Sequence, residues 1–264
     1  MKVMILCGGR GTRLREETEY RPKPMVPIGT HPILWHIMKT YSHFGHRDFI
    51  LCLGYKGGMI KEYFRNFHWN HGDVSLRLGQ PGDATLHAGS SEEDSWNVTL
   101  ADTGEDSMTA YRILRAAKYL GDDENFLLTY GDGVSDVNLD EVMKFHESHD
   151  KTVTLTGVHP PGRFGELHLG ADGTAKTFNE KPQAEGGYIN GGFMVCRTKK
   201  FLARLPDDPT VMLEHDPMRK LATDGELAVY RHEGFWQPMD TQPEFLSLNR
   251  LWSEGRAPWR CWND

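Results

Sequence analysis

Apolar and polar positions along the first half of the chain alternate between two rhythms. Lys2 to Cys7 is a continuous apolar run ending at Gly8-Gly9, the pattern of a strand covered on both faces of a parallel sheet. After Pro32, residues Ile33, Leu34, Ile37, Met38, Tyr41 and Phe44 recur at helical spacing, and Gly45 supplies the stop. "DFILCLGY" (48–55) predicts a second buried strand, and Ile60, Tyr63, Phe64 and Phe67 mark the next helix. From His71 to Gly104 the rhythm changes: Val74/Leu76/Leu78 and Val98/Leu100 alternate with polar residues, predicting a small β-hairpin or sheet inserted at about 71–104. "SMTAYRILRAAKYLG" (107–121) returns to helical period, with Ser107 expected to cap it.

The second half continues in kind. "NFLLTYGDG" (125–133) predicts a buried strand ending in an acid between glycines, followed by a helix in "DEVMKFHESH" and a strand in "KTVTLTGV". "GELHLGADGTAKTFNEKP" predicts a hairpin turning at Asp172-Gly173. The strands "YINGGFMVC" and "LAVYRH" follow, and a helix from Pro243 to Glu254 comes near the end. Strand and helix in this order define an α/β class: a Rossmann-like, mixed and mostly parallel sheet flanked by helices, with one small β insertion. No repeat or linker divides the chain, so 1–264 is expected to form a single domain.

Composition narrows the functional classes. A formal charge of -7 argues against a nucleic-acid binder, which carries a basic surplus, but leaves room for small anionic substrates held by a few local cations. Cys7, Cys52, Cys196 and Cys261 are scattered without C-x-x-C or zinc spacing, which suits free thiols in a reducing compartment. No apolar stretch approaches the ~20 residues that span a bilayer, and no signal segment precedes the first strand. A cytoplasmic protein with no membrane partner is the expectation.

The chemistry concentrates at strand ends. "CGGRGTRL" (7–14) fails the G-x-G-x-x-G pattern at Leu14 and lacks the G-K-[ST] of a Walker loop. Its small residues still let backbone N–H groups approach phosphate oxygens, with Thr12 and Arg13 adding a hydroxyl and a fixed charge. On the loop alone a tight turn with solvent-facing arginines stands equal to a phosphate cradle. In "RPKP" Lys23 lies between two prolines, so its backbone is expected to be extended and its ammonium delivered from a stiff segment. Asp132 ends a strand where ligands of open α/β sheets gather, and such an acid suits Mg²⁺ or an Asx-turn. Asp240 in "GFWQPMDT" is either the cap of the following helix or a second metal ligand. Glu180 and Lys181 in "FNEKP" are adjacent and both reach a ligand only at a strand end.

Assembled, "GGRGTRL", "RPKPM", "YGDGVSD", "FNEKP", "INGGFMV" and "GFWQPMDT" resemble the sugar-1-phosphate nucleotidylyltransferases, almost end to end. The longer strings are similar to the branch that joins CTP to glucose 1-phosphate. The resemblance implies the nucleotidyltransferase fold, with 1–135 mainly the nucleotide half and 136–264 mainly the sugar-phosphate half. It implies that Leu6, Gly8, Gly9, Gly11 and Thr12 contact the nucleotide, as do Ser107, Arg112 and Gly131. Arg13 and Lys23 would carry the catalytic charges, while Asp132 and Asp240 would bind Mg²⁺. Glu180, Lys181 and Asn190 would hold the sugar phosphate. It also implies a homo-oligomer, a hexamer among the options. Cys7 replaces a usual alanine, and Arg10 replaces an apolar residue and adds charge beside the phosphates. Ala110-Tyr111 stand where two glycines are usual, so Tyr111 is expected to reshape the nucleotide pocket. Competing readings are the same reaction with another base or sugar, and a silent sugar-nucleotide sensor. An NAD oxidoreductase fits worse, lacking the third glycine and the ribose-binding acid.

Overall fold

The computed structural model describes residues 1–79, 83–87, 91–160, 166–169, 175–179 and 187–262; for Arg15, 166–169 and 175–179 only the backbone is described. Seven strands form the central sheet: β1 (Lys2–Leu6), β2 (Asp48–Leu53), β3 (Asn97–Asp102), β4 (Asn125–Tyr130), β5 (Val153–Val158), β6 (Ile189–Arg197) and β7 (Leu227–His232). Their spatial order is β7-β5-β6-β4-β1-β2-β3, and β6 alone runs against the other six.

The continuous apolar character of β1 and β2 has the expected cause. Val3 and Ile5 enter one core and Met4 and Leu6 the other; Phe49 and Leu51 likewise oppose Ile50 and Cys52. A strand buried on both faces has no polar side to display. The first core is closed by α1 (Ile33–His43), α4 (Leu139–Glu147) and α6 (Gln242–Ser253), and the second by α3 (Thr109–Ala116) and α5 (Asp216–Thr223). Helix α2 (Gly57–Arg65) adds Ile60 to the first core. These layers place the mostly parallel sheet between helices, as the pattern required.

Three expectations need correction. The insertion is shorter than 71–104: Asp73–Leu76 and Ala84–His87 make a separate antiparallel hairpin, whereas Asn97–Asp102 pairs parallel with β2 as the edge of the main sheet. Alternation there records the half-solvated face of an edge strand, which periodicity cannot tell from a hairpin strand. Helix α3 begins at Thr109 after Met108, so Ser107 is not its cap. Lys23 opens a one-turn 3₁₀ helix (Lys23–Met25) instead of lying extended, although Pro22 before it is extended at ψ 148°. The 166–169 and 175–179 strands pair antiparallel as expected, while Asp172 and Gly173 of their turn lie outside the described residues.

Candidate active site

The carboxyl ends of β1 and β4 lie side by side, paired in parallel from Val3↔Leu127 to Leu6↔Tyr130. The chain leaves β1 through the 7–14 loop and β4 through Gly131-Asp132, so these two segments form one floor. Gly131 fits there because its N–H donates to Leu6 O at 3.0 Å and a Cβ would stand 3.0 Å from Pro24 Cγ, 3.1 Å from Leu6 O and 3.2 Å from Cys7 Sγ. The short strand Gly133–Ser135 pairs with Trp236–Pro238, and Met239 N–H donates to Asp132 O at 2.8 Å. That pairing carries Asp240 across more than a hundred residues of sequence to Asp132.

Two lobes of about 280 and 210 Å³ open on this floor and share Arg13, Tyr130, Asp132 and Asp240. The first is lined by Leu6, Gly8, Gly9, Gly11, Thr12 and Lys23, and beyond them by Ser107, Arg112 and Gly131. The second is lined by Asn190, Gly192, Glu214 and Trp236. Nearly all of the residues expected to act together are therefore together. Glu180 and Lys181 lie outside the described residues.

At the junction Lys23 Nζ donates to Asp132 Oδ2 at 2.6 Å and to Asp240 Oδ1, and Arg13 Nη1 donates to Asp240 Oδ2 at 2.6 Å. Burial by itself would lower the Lys23 pKa; the two carboxylates more than reverse this, so the ammonium is held above its ordinary value. Asp240 is not the cap of α6: Thr241 takes that place in a capping box with Glu244, whose Oε2 accepts from the N–H groups of Asp240 and Thr241. The Asp240 carboxylate is thereby left for the site. Asp132 and Asp240 offer two hard oxygen ligands beside a phosphate-sized cleft. Mg²⁺ asks for one or two carboxylates, completing its shell with waters and phosphates, so this donor set fits it.

The loop of β1 keeps most of its backbone donors free while its arginines stay exposed. Backbone N–H groups from Gly8 to Arg13 donate to no backbone carbonyl among the described residues, and five of these six residues line the first lobe. Gly11 turns the loop at φ +62°, where a Cβ would also press on Thr18 Cγ2 at 2.9 Å. A row of uncommitted amides along a concave wall is a ready anion seat.

Arg112 lines the first lobe and also holds the loop together. The guanidinium is buried, 4% exposed, and its donors go to Leu53 O, Thr103 Oγ1, Gly104 O, Gly8 O and Glu105 O at 2.6–3.1 Å. It ties the loop through Gly8 O, and glycine at Gly8 and Gly54 leaves it room: a Cβ on either would stand 2.3 Å from Arg112 Nη1. Tyr111, expected to reshape the nucleotide pocket, is not among the residues that line the first lobe. Arg10 pairs with exposed Asp106 at 2.8 Å, and Cys7 is buried with its thiol pKa pushed well up by burial. Tyr130, Glu214 and Trp236 escaped the sequence reading. Tyr130 adjoins the Gly131-Asp132 motif, whereas Glu214 sits in an irregular stretch with no local pattern.

Together the fold and the cleft define a phosphate-handling transferase of the α/β class. The chain belongs to the nucleotidyl transferase family, whose sequence model matches residues 2–254, and is a nucleotidyltransferase enzyme. It is 49% identical over 262 residues to glucose-1-phosphate cytidylyltransferase of Salmonella typhimurium, covering 99% of this chain and 100% of that one. The protein of the same name from Salmonella typhi matches equally, at 49% identity over 262 residues. Among solved structures, HddC from Yersinia pseudotuberculosis superposes with a TM-score of 0.65 at 22% identity, over 95% of this chain and 99% of that one, a likeness of fold. Among the described residues, no helix is long and apolar enough to cross a membrane.

Proposed function

We propose that the protein transfers CMP from CTP to α-D-glucose 1-phosphate, giving CDP-glucose and pyrophosphate. The observation that carries this reading is the junction of the two lobes, where Arg13, Lys23, Asp132 and Asp240 converge beside the uncommitted amides of the 8–13 loop. The nucleotide occupies the first lobe with its phosphates against those amides. The sugar phosphate occupies the second, with its phosphate toward Arg13 and Lys23. A sugar-phosphate oxygen then attacks the α-phosphorus of CTP in line, the bond to the β-phosphate oxygen breaks, and pyrophosphate leaves with the electron pair.

The protein's part is positioning and charge neutralisation, since phosphoryl-type transfer asks little covalent work of it. Lys23, held on a turn between Pro22 and Pro24, brings a point charge to the reacting phosphate. Asp132 and Asp240 would hold Mg²⁺, which when bound offsets the charge gathering on the attacking and leaving oxygens. Glu180 and Lys181 belong to the sugar-phosphate side in this reading, and a homo-oligomer, with a hexamer among the options, is its expected assembly. The test incubates the enzyme with CTP, UTP or dTTP and glucose 1-phosphate and follows pyrophosphate release, with mass spectrometry of the product. CDP-glucose as the preferred product supports the reading; no pyrophosphate from any pairing overturns it.

A further inference from the structure

Glu214 is a carboxylate of the second lobe that the transfer itself does not use. It lies between Thr198–Leu202 and α5, in a stretch tied to the start of α3 by Met108 N–H donating to Pro209 O at 2.8 Å and Leu213 N–H donating to Thr109 Oγ1 at 2.7 Å. Its carboxylate accepts from Tyr130 Oη at 2.5 Å through Oε1 and from Thr109 Oγ1 at 2.8 Å through Oε2. Both donors are neutral hydroxyls, and no cation pairs with Glu214 among the described residues. Each carboxylate oxygen keeps a lone pair, because an ionised carboxylate has about four acceptor positions.

The neighbours fix the direction of this chain of bonds. Asn190 Oδ1 accepts from Gly192 N–H at 2.8 Å, and Asn190 lines the second lobe beside Tyr130. Tyr130 gives its hydroxyl proton to Glu214. Burial and the Glu214 charge push the phenol pKa well up, so Tyr130 stays a donor. Gly192 (φ +88°) admits the Tyr130 ring, since a Cβ there would stand 2.9 Å from Cδ2. On the far side, Trp236 Nε1 donates to Gly191 O at 2.8 Å and holds its ring in the wall. The second lobe thus holds Arg13, ion-paired with Asp240 and close to Asp132, together with the acceptor-only carboxylate of Glu214. Glu214 repels a phosphate, and hydroxyl donors suit it.

We propose that Glu214 determines specificity for the sugar, accepting a hydrogen bond from a ring hydroxyl of the sugar 1-phosphate whose phosphate faces Arg13 and Lys23. This rests on the reading of the second lobe as the sugar-phosphate site. Glu214→Gln is the informative variant: its amide oxygen still accepts from Tyr130, and its NH₂ donates to Thr109 Oγ1. The charged acceptor is what is lost.

Steady-state kinetics of wild type and Glu214→Gln are measured with glucose 1-phosphate and its 2-, 3-, 4- and 6-deoxy analogues, alongside calorimetric binding of the same compounds. Melting curves confirm that the variant is folded, and Glu214→Asp, which keeps the charge on a shorter arm, provides a second variant. The expected result is a KM for glucose 1-phosphate raised about 10- to 100-fold in Glu214→Gln, the worth of one charged hydrogen bond, with the KM for CTP within about two-fold. One deoxy analogue should be discriminated against by wild type and no longer by the variant. An unchanged KM for glucose 1-phosphate overturns the proposal, as does an equal rise for both substrates, which marks a merely structural prop. If wild type forms no CDP-glucose, the proposed reaction fails by itself. The binding series still decides Glu214, by retained or abolished discrimination among the analogues.

Discussion

Replacing Arg112 by Met tests whether this cation props the phosphate loop or touches substrate. The loss can be read bond by bond. Gly8 O keeps Tyr55 N–H at 3.2 Å, and Leu53 O keeps Thr103 N–H at 3.0 Å, so these two carbonyls remain satisfied. Gly104 O and Glu105 O lose the Nη1 and Nη2 donors that serve them. Gly104 is half-buried and Glu105 exposed, so water reaches both carbonyls; with the Thr103 Oγ1 bond also lost, each lost bond costs about 1 kcal/mol, and release of the guanidinium from burial returns part of the sum. Burial already lowers the Arg112 pKa, a sign that this return is real. A net loss of about 2 kcal/mol follows, and at roughly 2–4 °C per kcal/mol for a chain of this size the melting temperature falls by about 4–8 °C. Thermal melts by circular dichroism, paired with the KM for CTP, provide the measurement. A melting point within about 2 °C of wild type, with CTP affinity strongly reduced, would refute the clamp and return Arg112 to the role of a direct substrate contact.

Four further outcomes follow from the same geometry. Gly8→Ala places a Cβ 2.3 Å from Arg112 Cζ and should destabilise much as Arg112→Met does, with the double variant losing less than the sum; strict additivity would contradict the contact. Lys23→Ala should lower turnover about 100- to 1,000-fold, read as pyrophosphate release, because a charge aimed at the reacting phosphate is gone. Asp132→Asn should reduce turnover at least as far with an unchanged far-ultraviolet spectrum, and near-normal activity would remove it from the metal site. His36, His46 and His146 are each lowered to about 4, chiefly by burial, so the unfolded chain binds protons more readily below pH 6.5. Their contribution is fully present above that value and is lost as the pH falls toward 4. Each adds up to about 1.4 kcal/mol per pH unit, so denaturant midpoints should fall between pH 6.5 and 4.5.

Legibility followed locality. Strands β1, β2 and β4 were readable because burial on both faces leaves a continuous apolar signature. The 7–14 loop and Asp132 were readable because each is contiguous with such a strand. β3 was not assigned to the main sheet, because an edge strand with one wet face alternates as a hairpin does. Lys23 was expected on extended backbone; Val26 N–H donates to Lys23 O at 3.0 Å and closes the turn against the preference of a residue before proline. Whether Asp240 was cap or ligand depended on Thr241 and Glu244, whose capping box is visible in "TQPE" once sought. Glu214 had no local sign at all. It acquires meaning only from Thr109 and Tyr130, 105 and 84 residues away.

On the proposed reading, the topology explains why the phosphate wall is contiguous in sequence and the sugar wall is not. From β1 the chain runs outward through β2 to β3, then crosses back to β4 on the other side of β1. The connections leaving β1 and β4 diverge at this point and open a crevice between the strand ends, where open α/β sheets bind ligands. One wall of the crevice consists of the two loops that leave those strands, so its chemistry is written in unbroken motifs. The other wall is built late in the chain, from Asn190 on the antiparallel strand β6, Glu214 in an irregular stretch and Trp236 on a two-stranded return. Asn190 and Trp236 lie in contiguous motifs, but only tertiary pairing brings the three together. On the proposed reading, substitutions at the shared junction should disturb both substrates, because each brings a phosphate there. Substitutions in the second wall are the ones free to alter which sugar is accepted, and exchange of Asn190, Glu214 or Trp236 should move the ratio of kcat/KM between sugar phosphates more than the ratio between nucleotides.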